Sequence, residues 1–374
     1  MNSTTEGPSP EASGTPEVAL SPSDTDSRPR EVEGIDANRV TAWFVENIPG
    51  VQPPLRFDLI AGGRSNLTFR VRDAGGNDYV LRRPPISHVL PTAHDMSREF
   101  RIISSLGPTS VPVAPALGLC EDEEVNQRPF YVMGHVNGHV LRDPATVEKV
   151  LDPHQRGQAS KSIIDVLARI HAVDPDGVGL GQLGRRDSYI ERQLKRWYGQ
   201  FTKSQTETGR HVPLIDELFE TLSSRIPEQG SPAIVHGDYR LDNTMFDDQG
   251  NILAVLDWEI CTLGDPLADL GLLMVYWTEA GDERSALGVA PTALPGFWTR
   301  DDLMKRYTET TGRDVSNLDF YVAFGYWKLA CIVEGVYSRY AGGAKGGDRT
   351  DHEVFAAQVE TLARAAEEAI DRSR

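Results

Sequence analysis

The segment Ile234-Val-His-Gly-Asp-Tyr-Arg-Leu-Asp-Asn-Thr-Met-Phe246, followed by Val255-Leu-Asp-Trp-Glu259, constrains this chain more than any other stretch. Its apolar runs are broken by one polar loop and by Asp247-Asp-Gln-Gly250, a pattern that reads strand, loop, strand, turn, strand. Asp238 and Asn243 stand five residues apart, and Asp257 ends the last strand. A hairpin of residues 243–247 and 251–256 would carry Asn243 and Asp257 to neighbouring strand ends. One carboxylate placed to accept a proton from a hydroxyl, with an amide and a second carboxylate as oxygen ligands for Mg²⁺, is the set that phosphoryl transfer requires. The tripeptide His-Gly-Asp alone recurs by chance; the spacing of the whole set carries the signal.

The chain of 374 residues is long enough for a large core and more than one lobe. Its net charge of −17 is spread along the sequence, which argues against nucleic acid as a partner, because phosphate backbones require basic surface. Cys120, Cys261 and Cys331 lie far apart without metal-ligand pairing, which points to a reducing, cytoplasmic location. No apolar run reaches the length of a membrane span, and the N-terminus has no hydrophobic signal core, so no membrane partner is expected. Residues 1–33 are rich in Ser, Thr, Pro, Glu and Gly and read as a disordered tail.

Residues 236–269 resemble the catalytic core of the aminoglycoside phosphotransferase and choline kinase-like family, small-molecule relatives of the protein kinases. The His-x-Asp-x-x-x-x-Asn pattern stands as His236, Asp238 and Asn243, and the magnesium aspartate corresponds to Asp257, followed here by Trp258 and Glu259. Gly264-Asp-Pro-Leu-Ala-Asp-Leu-Gly271 fits the segment that comes next in that family. The resemblance covers roughly residues 55–340. It implies an α+β, bilobal, protein-kinase-like fold: a small β-rich N-lobe over residues 34–134 and a larger helical C-lobe over 135–374. It implies ATP and Mg²⁺ as cofactors and a small-molecule hydroxyl as the acceptor. In such sites Asp238 is the catalytic base, Asn243 and Asp257 hold the metal, and His236 is structural. Asp265 and Asp269 read as a helix cap and a support for the catalytic loop.

The remaining motifs are in kinase order. A helix over 36–47 shows apolar residues at helical spacing, and strands follow at 55–61, 67–72 and 79–82. Gly62-Gly-Arg-Ser-Asn66, between the first two strands, lets backbone N–H groups approach phosphates, with Ser65 and Asn66 as further donors. It is neither a Walker loop nor a dinucleotide fingerprint. On the third strand Arg82 occupies the place of the kinase lysine, with Glu99 on the helix over 94–106 as its partner; arginine can bind phosphate bidentately and so could take the lysine's role. The segment Phe130-Tyr-Val-Met-Gly134 leads into a hinge, 134–138, where main chain near Met133 and Val136 would bind adenine. His135 and His139 lack a third ligand and read as hinge surface. Glu334, among aromatic residues, faces either the substrate or the core.

Two readings of function follow. One is ATP- and Mg²⁺-dependent phosphorylation of a small molecule, aminoglycoside-like or a hydroxyacyl thioester. Asp282, Glu283, Asp301 and Asp302 would give a cationic aminoglycoside its acidic pocket, and residues 279–298 would form a lid. The segments Leu81-Arg-Arg-Pro-Pro85 and Leu256-Asp-Trp-Glu259 resemble instead the kinase domain fused to some acyl-CoA dehydrogenases, linked to hydroxyacyl thioesters. The other reading is a pseudokinase, an ATP-binding regulatory module without transfer, for which Arg82 is the sole support. Protein-kinase activity is disfavoured, because no Ala-Pro-Glu segment or long activation loop follows Asp257.

Overall fold

A computed structural model describes residues 32–61, 66–85, 95–282, 290–342 and 352–373. Residues 1–31 of the expected tail, Ser65 with its glycine turn, His94 and Glu283 lie outside the described residues.

The first lobe begins with α1 (Ala37–Asn47), which starts where the Asp36 side chain accepts the Arg39 N–H and buries Val40 and Phe44. Strands β1 (Arg56–Ala61), β2 (Leu67–Arg72) and β3 (Asp78–Arg83) form an antiparallel meander. Helix α2 (Met96–Leu106) follows, capped by Asp95. Its buried face is Met96, Glu99, Ile102, Ile103 and Leu106, so Glu99 is presented inward by helical spacing. Then come β4 (Ala116–Cys120), the short α3 (Glu123–Asn126) and β5 (Phe130–Gly134). The sheet order is β1-β2-β3-β5-β4. Directly paired residues share a face, and the register pairs Arg82 with Tyr131 and Val80 with Met133. Arg82, Val80, Tyr131 and Met133 therefore occupy one face of the sheet.

The second lobe is helical: α4 (Pro144–Val150), α5 (Pro153–Ala172), α6 (Tyr189–Thr208), α7 (Pro213–Ser224), α8 (Leu267–Tyr276), α9 (Arg300–Thr311), α10 (Leu318–Ala341) and α11 (His352–Arg372). Two small antiparallel pairs sit within it, β6 (Ala233–Val235) with β9 (Thr262–Gly264) and β7 (Thr244–Phe246) with β8 (Ile252–Val255). This is the α+β kinase-like architecture expected.

Two apolar cores result. The smaller joins α1 to one face of the sheet through Val40, Phe44, Phe69, Leu81 and Phe130. The larger runs from Ile102, Ile103 and Tyr131 into Ile163, Leu167, Ile234, Leu272 and Trp327, so helix α2 packs in one continuous core with the helical lobe. Apolar burial is the main favourable term, about 25 cal/mol per Å², and here it ties the two halves together.

Candidate active site

The order β6, loop, β7, turn, β8 delivers the polar residues as the spacing foretold. Asp247 accepts the N–H groups of Gln249 and Asn251 and closes the hairpin. Thr244 pairs with Val255, and the Leu256 N–H reaches the Asn243 carbonyl at 2.8 Å, which places Asn243 beside the strand that ends in Asp257. Asp257 then adopts φ +62°, a left-handed conformation costly for a residue with a Cβ. The turn throws its carboxylate into the cleft while Trp258 goes into the core, its Nε1 donating to Val255 O at 3.1 Å.

The loop around Asp238 is fixed from several sides. His236 is fully buried; its Nε2 lies 2.9 Å from the Leu256 carbonyl, so that nitrogen carries the proton, and Nδ1 accepts the Asp238 N–H at 3.3 Å. His236 is thus a structural tie. Asp269 on α8 accepts the N–H groups of His236 at 2.7 Å and Gly237 at 2.8 Å. Its carboxyl lies below the usual range: desolvation pushes it up, and the contacts with His171, His236 and the Gly237 N–H more than offset that. Gly237 has φ +88°, and a Cβ there would meet Ile260, so glycine is required. Asp265 accepts the Leu267 N–H at 3.0 Å and the Tyr321 hydroxyl at 2.6 Å.

Asn243 donates its amide nitrogen to Asp238 O at 2.8 Å and Oδ2 at 2.9 Å. Those bonds orient the amide and leave its oxygen as the ligand on offer to a cation. An amide oxygen and a carboxylate carried on adjacent strand ends fit Mg²⁺, a hard cation that takes oxygen donors and keeps several waters.

Arg82 is the central cation of the cleft. Its Nη1 lies 3.2 Å from Glu99 Oε1, its Nη2 2.6 Å from Asp257 Oδ1 and 4.0 Å from Glu259 Oε2. Burial alone would lower the Arg82 pKa; Glu99, Tyr131 and Asp257 more than reverse that. Glu99 is pushed up to about 7 by burial, which outweighs the attraction of Arg82. Asn66 is buried and donates to Glu259 Oε2 at 3.4 Å, which links the first loop to the Asp257 segment. Met133 sits half-buried at the end of β5, on Arg82's sheet face, and Val136 follows in the hinge. Gly138 there passes so close to Phe246 O that a Cβ would lie 2.8 Å from it. His139 pairs with Phe246 through both backbone groups, and its Nε2 contacts Asp248 at 2.8 Å.

Several groups at the site escaped the sequence reading. Arg240 sits beside Asp238, Nε 3.5 Å from Oδ2, stacked 4.7 Å above the Tyr276 ring and paired with Asp242 at 3.1 Å. Lys328 on α10 donates to the Gly237 carbonyl at 2.9 Å. Arg98 on α2 donates to Leu183 O and Cys261 O and so ties the lobes together. Glu259 has its carboxyl raised by burial and by Asp257. Lys328 alone left a mark, as a single cation in the apolar run Phe324–Val333.

Of the expected acidic acceptor residues, Asp282 and Asp301 line one cavity together with Arg300. Asp282 is bound by Arg300 at 2.6 Å, and Asp302 forms the α9 capping box with Thr299. Glu334 is fully buried and ion-paired to Arg210. Among the described residues no group of three or more His, Cys, Asp or Glu side chains forms a metal cage, and no helix is long and apolar enough to cross a membrane.

The profile of a phosphotransferase enzyme family matches residues 56–301, and the chain belongs to that family. Phosphoryl transfer to small molecules is the chemistry of this class. A crystal structure from Ralstonia eutropha JMP134, provisionally assigned as an aminoglycoside phosphotransferase, is 33% identical with a TM-score of 0.75, over 89% of this chain and 98% of that one. Mouse acyl-CoA dehydrogenase family member 10 is 35% identical over 76% of this chain and 26% of its own length. The choline kinase of Cryptosporidium parvum Iowa II shares the fold at 12% identity, TM-score 0.61, over 90% and 97% of the two chains. The chain spans less than half the length of the curated relatives it matches.

Proposed function

We propose that this phosphotransferase moves the γ-phosphoryl group of ATP to a hydroxyl of a small molecule, with Mg²⁺ held by Asn243 and Asp257. The observation that carries this reading is the 2.9 Å bond between Asn243 and Asp238, on a hairpin that also presents Asp257. Asp238 accepts the proton of the acceptor hydroxyl as its oxygen bonds to phosphorus; the bond from phosphorus to the β–γ bridging oxygen breaks, and ADP leaves. Orientation by a base of this kind contributes about 10²–10⁴ in rate. Bound Mg²⁺ would supply neutralisation of charge developing on the phosphates. Arg82, steadied by Glu99, would grip the nucleotide phosphates with Ser65 and Asn66, and Met133 and Val136 would border the adenine. In this reading residues 34–134 bind the nucleotide and 135–374 carry the chemistry. The three cysteines are all buried and free, which suits a reducing cytoplasm.

For the acceptor, the cations within electrostatic reach of Asp238 include Arg240 and Lys328, while Asp282 and Asp302 are already committed. Arg240 is itself paired with Asp242, and Lys328 with the Gly237 carbonyl, so these charges favour neither acceptor, and a hydroxyacyl thioester is taken as the acceptor to test first. The acyl-CoA dehydrogenase name of the relatives agrees with it. The pseudokinase alternative drew on Arg82, yet Arg82 keeps the helix-glutamate contact that a lysine there would make.

Titration calorimetry of ATP with and without Mg²⁺ tests the assignment. Nucleotide binding should be strengthened by Mg²⁺ in the wild type, and that increment should vanish in Asn243→Ala and Asp257→Asn. Equal affinity with and without Mg²⁺ in all three proteins contradicts the metal assignment.

A further inference from the structure

We propose that Lys328 is a positioning residue of the catalytic loop, whose ammonium holds the peptide linking Gly237 to Asp238 and so sets the direction of the Asp238 carboxylate. This rests on the reading of Asp238 as the base.

The geometry is specific to that one peptide. Its carbonyl oxygen, on Gly237, accepts from Lys328 Nζ at 2.9 Å, and its N–H, on Asp238, points to His236 Nδ1 at 3.3 Å. The preceding peptide is held as well, because the Gly237 N–H reaches Asp269 Oδ1 at 2.8 Å. Gly237, at φ +88°, has no Cβ to limit its backbone, so its conformation depends on restraint from its neighbours. A buried cation and a buried anion hold it, one on each side of its Cα.

A structural lysine would be a poor choice here. Lys328 is 8% exposed in an apolar stretch of α10, and burial of an ammonium is unfavourable unless charges compensate it. A neutral donor would satisfy one carbonyl at less cost. The groups facing the ammonium are Gly237, Asp238 and Asp269 from the catalytic side and Arg196 and Trp197 from α6, with the Trp197 ring 5.6 Å away. Two carboxylates therefore oppose one arginine, and the net field favours a retained positive charge. Burial still lowers the Lys328 pKa below the ordinary lysine value; Asp238 and Asp269 counter part of that shift.

The test uses the full chain as wild type, Lys328→Met and Lys328→Arg. Amide hydrogen exchange over residues 236–243, read by mass spectrometry, requires no acceptor. Exchange there should rise about tenfold or more in Lys328→Met, with α5 unchanged, and return toward wild type in Lys328→Arg. Turnover is read as ADP released from MgATP with water as the acceptor. Its kcat should fall roughly 10²-fold in Lys328→Met with the KM for MgATP unchanged. The loss of kcat at high pH should move to higher pH in Lys328→Arg, since arginine keeps its proton.

Unchanged exchange in Lys328→Met, or kcat within about threefold of wild type, overturns the proposal. Should Lys328→Met fail to fold, Lys328→Gln takes its place: full activity there shows that charge is not needed and also overturns it. Asp238→Asn separates the two readings. Turnover that survives Asp238→Asn removes the base assignment, whereas a silent Asp238→Asn beside an unaffected Lys328→Met removes only the positioning role.

Discussion

Arg82 Nη2 lies 2.6 Å from Asp257 Oδ1, so the cation of the small lobe is directly bonded to a carboxylate of the large one. The same guanidinium holds Glu99 at 3.2 Å, and the three residues form one buried-to-cleft relay of alternating charge. Arg82→Met leaves Glu99 buried without its counter-ion. Where Glu99 is ionised, above its pKa of about 7, removal of one partner of such a pair costs about 3–5 kcal/mol, and urea unfolding at alkaline pH should show a loss of that order. Arg82→Met/Glu99→Leu should recover part of it, because no buried charge then remains.

Glu99 gives this relay a pH signature. Its carboxyl is raised from 4.5 to about 7 in the fold, so the folded state binds a proton that the unfolded chain releases. The stability from this group is therefore present below pH 4.5 and lost as pH rises through about 7. Between those values the wild type should lose up to about 1.4 kcal/mol per pH unit relative to Glu99→Gln. Denaturation curves of the two proteins across that range check the slope; parallel curves would refute it.

Asp269 should matter without touching substrate. It is 1% exposed and accepts from the His236 and Gly237 backbone while His171 lies 3.3 Å away. Asp269→Ala strands two buried N–H groups and a buried histidine, at about 1–3 kcal/mol for each unsatisfied group. The variant should unfold several degrees earlier by calorimetry and lose kcat more than nucleotide affinity.

Glu334 offers a contrast, since its charge is structural. It is fully buried against Arg210, which also donates to the Ala356 carbonyl at 3.1 Å and so joins α10 to α11. Arg210→Ala should destabilise the chain by about 3 kcal/mol, while MgATP affinity in the fraction that stays folded is unchanged. A changed nucleotide affinity would place Glu334 at the site after all.

The sequence disclosed what local chemistry dictates. Asn243 and Asp257 were legible because hairpin period and turn residues fix their mutual placement, and Asp238 from its five-residue spacing to Asn243 within the family's motif. Helix α1 was legible from its apolar spacing, and Glu99 through the kinase resemblance, which pairs a helix glutamate with the third-strand cation. Strand β4 was missed because Gly118 interrupts its pattern; the residue is glycine to admit Trp43, whose ring would lie 2.9 Å from a Cβ there. Helix α6 was missed because it is polar around most of its surface and starts at Ser188 without a side-chain cap. Lys328 and Arg98 act across 91 and 163 residues of chain, on Gly237 and Cys261, and no local pattern encodes such a reach. Glu334 was left open between substrate and core for the same reason, since its partner Arg210 is 124 residues away.

The most direct measurement is mass spectrometry of a mixed panel of hydroxyacyl thioesters, amino alcohols and aminoglycosides incubated with the protein, ATP and Mg²⁺, beside Asp238→Asn. If Asp238 is the base of a Mg²⁺-dependent kinase, one phosphoryl mass gain appears on a hydroxyacyl thioester and is absent in Asp238→Asn and in the reaction without Mg²⁺. A gain that persists in Asp238→Asn, or MgATP binding with no gain on any compound, would contradict that reading.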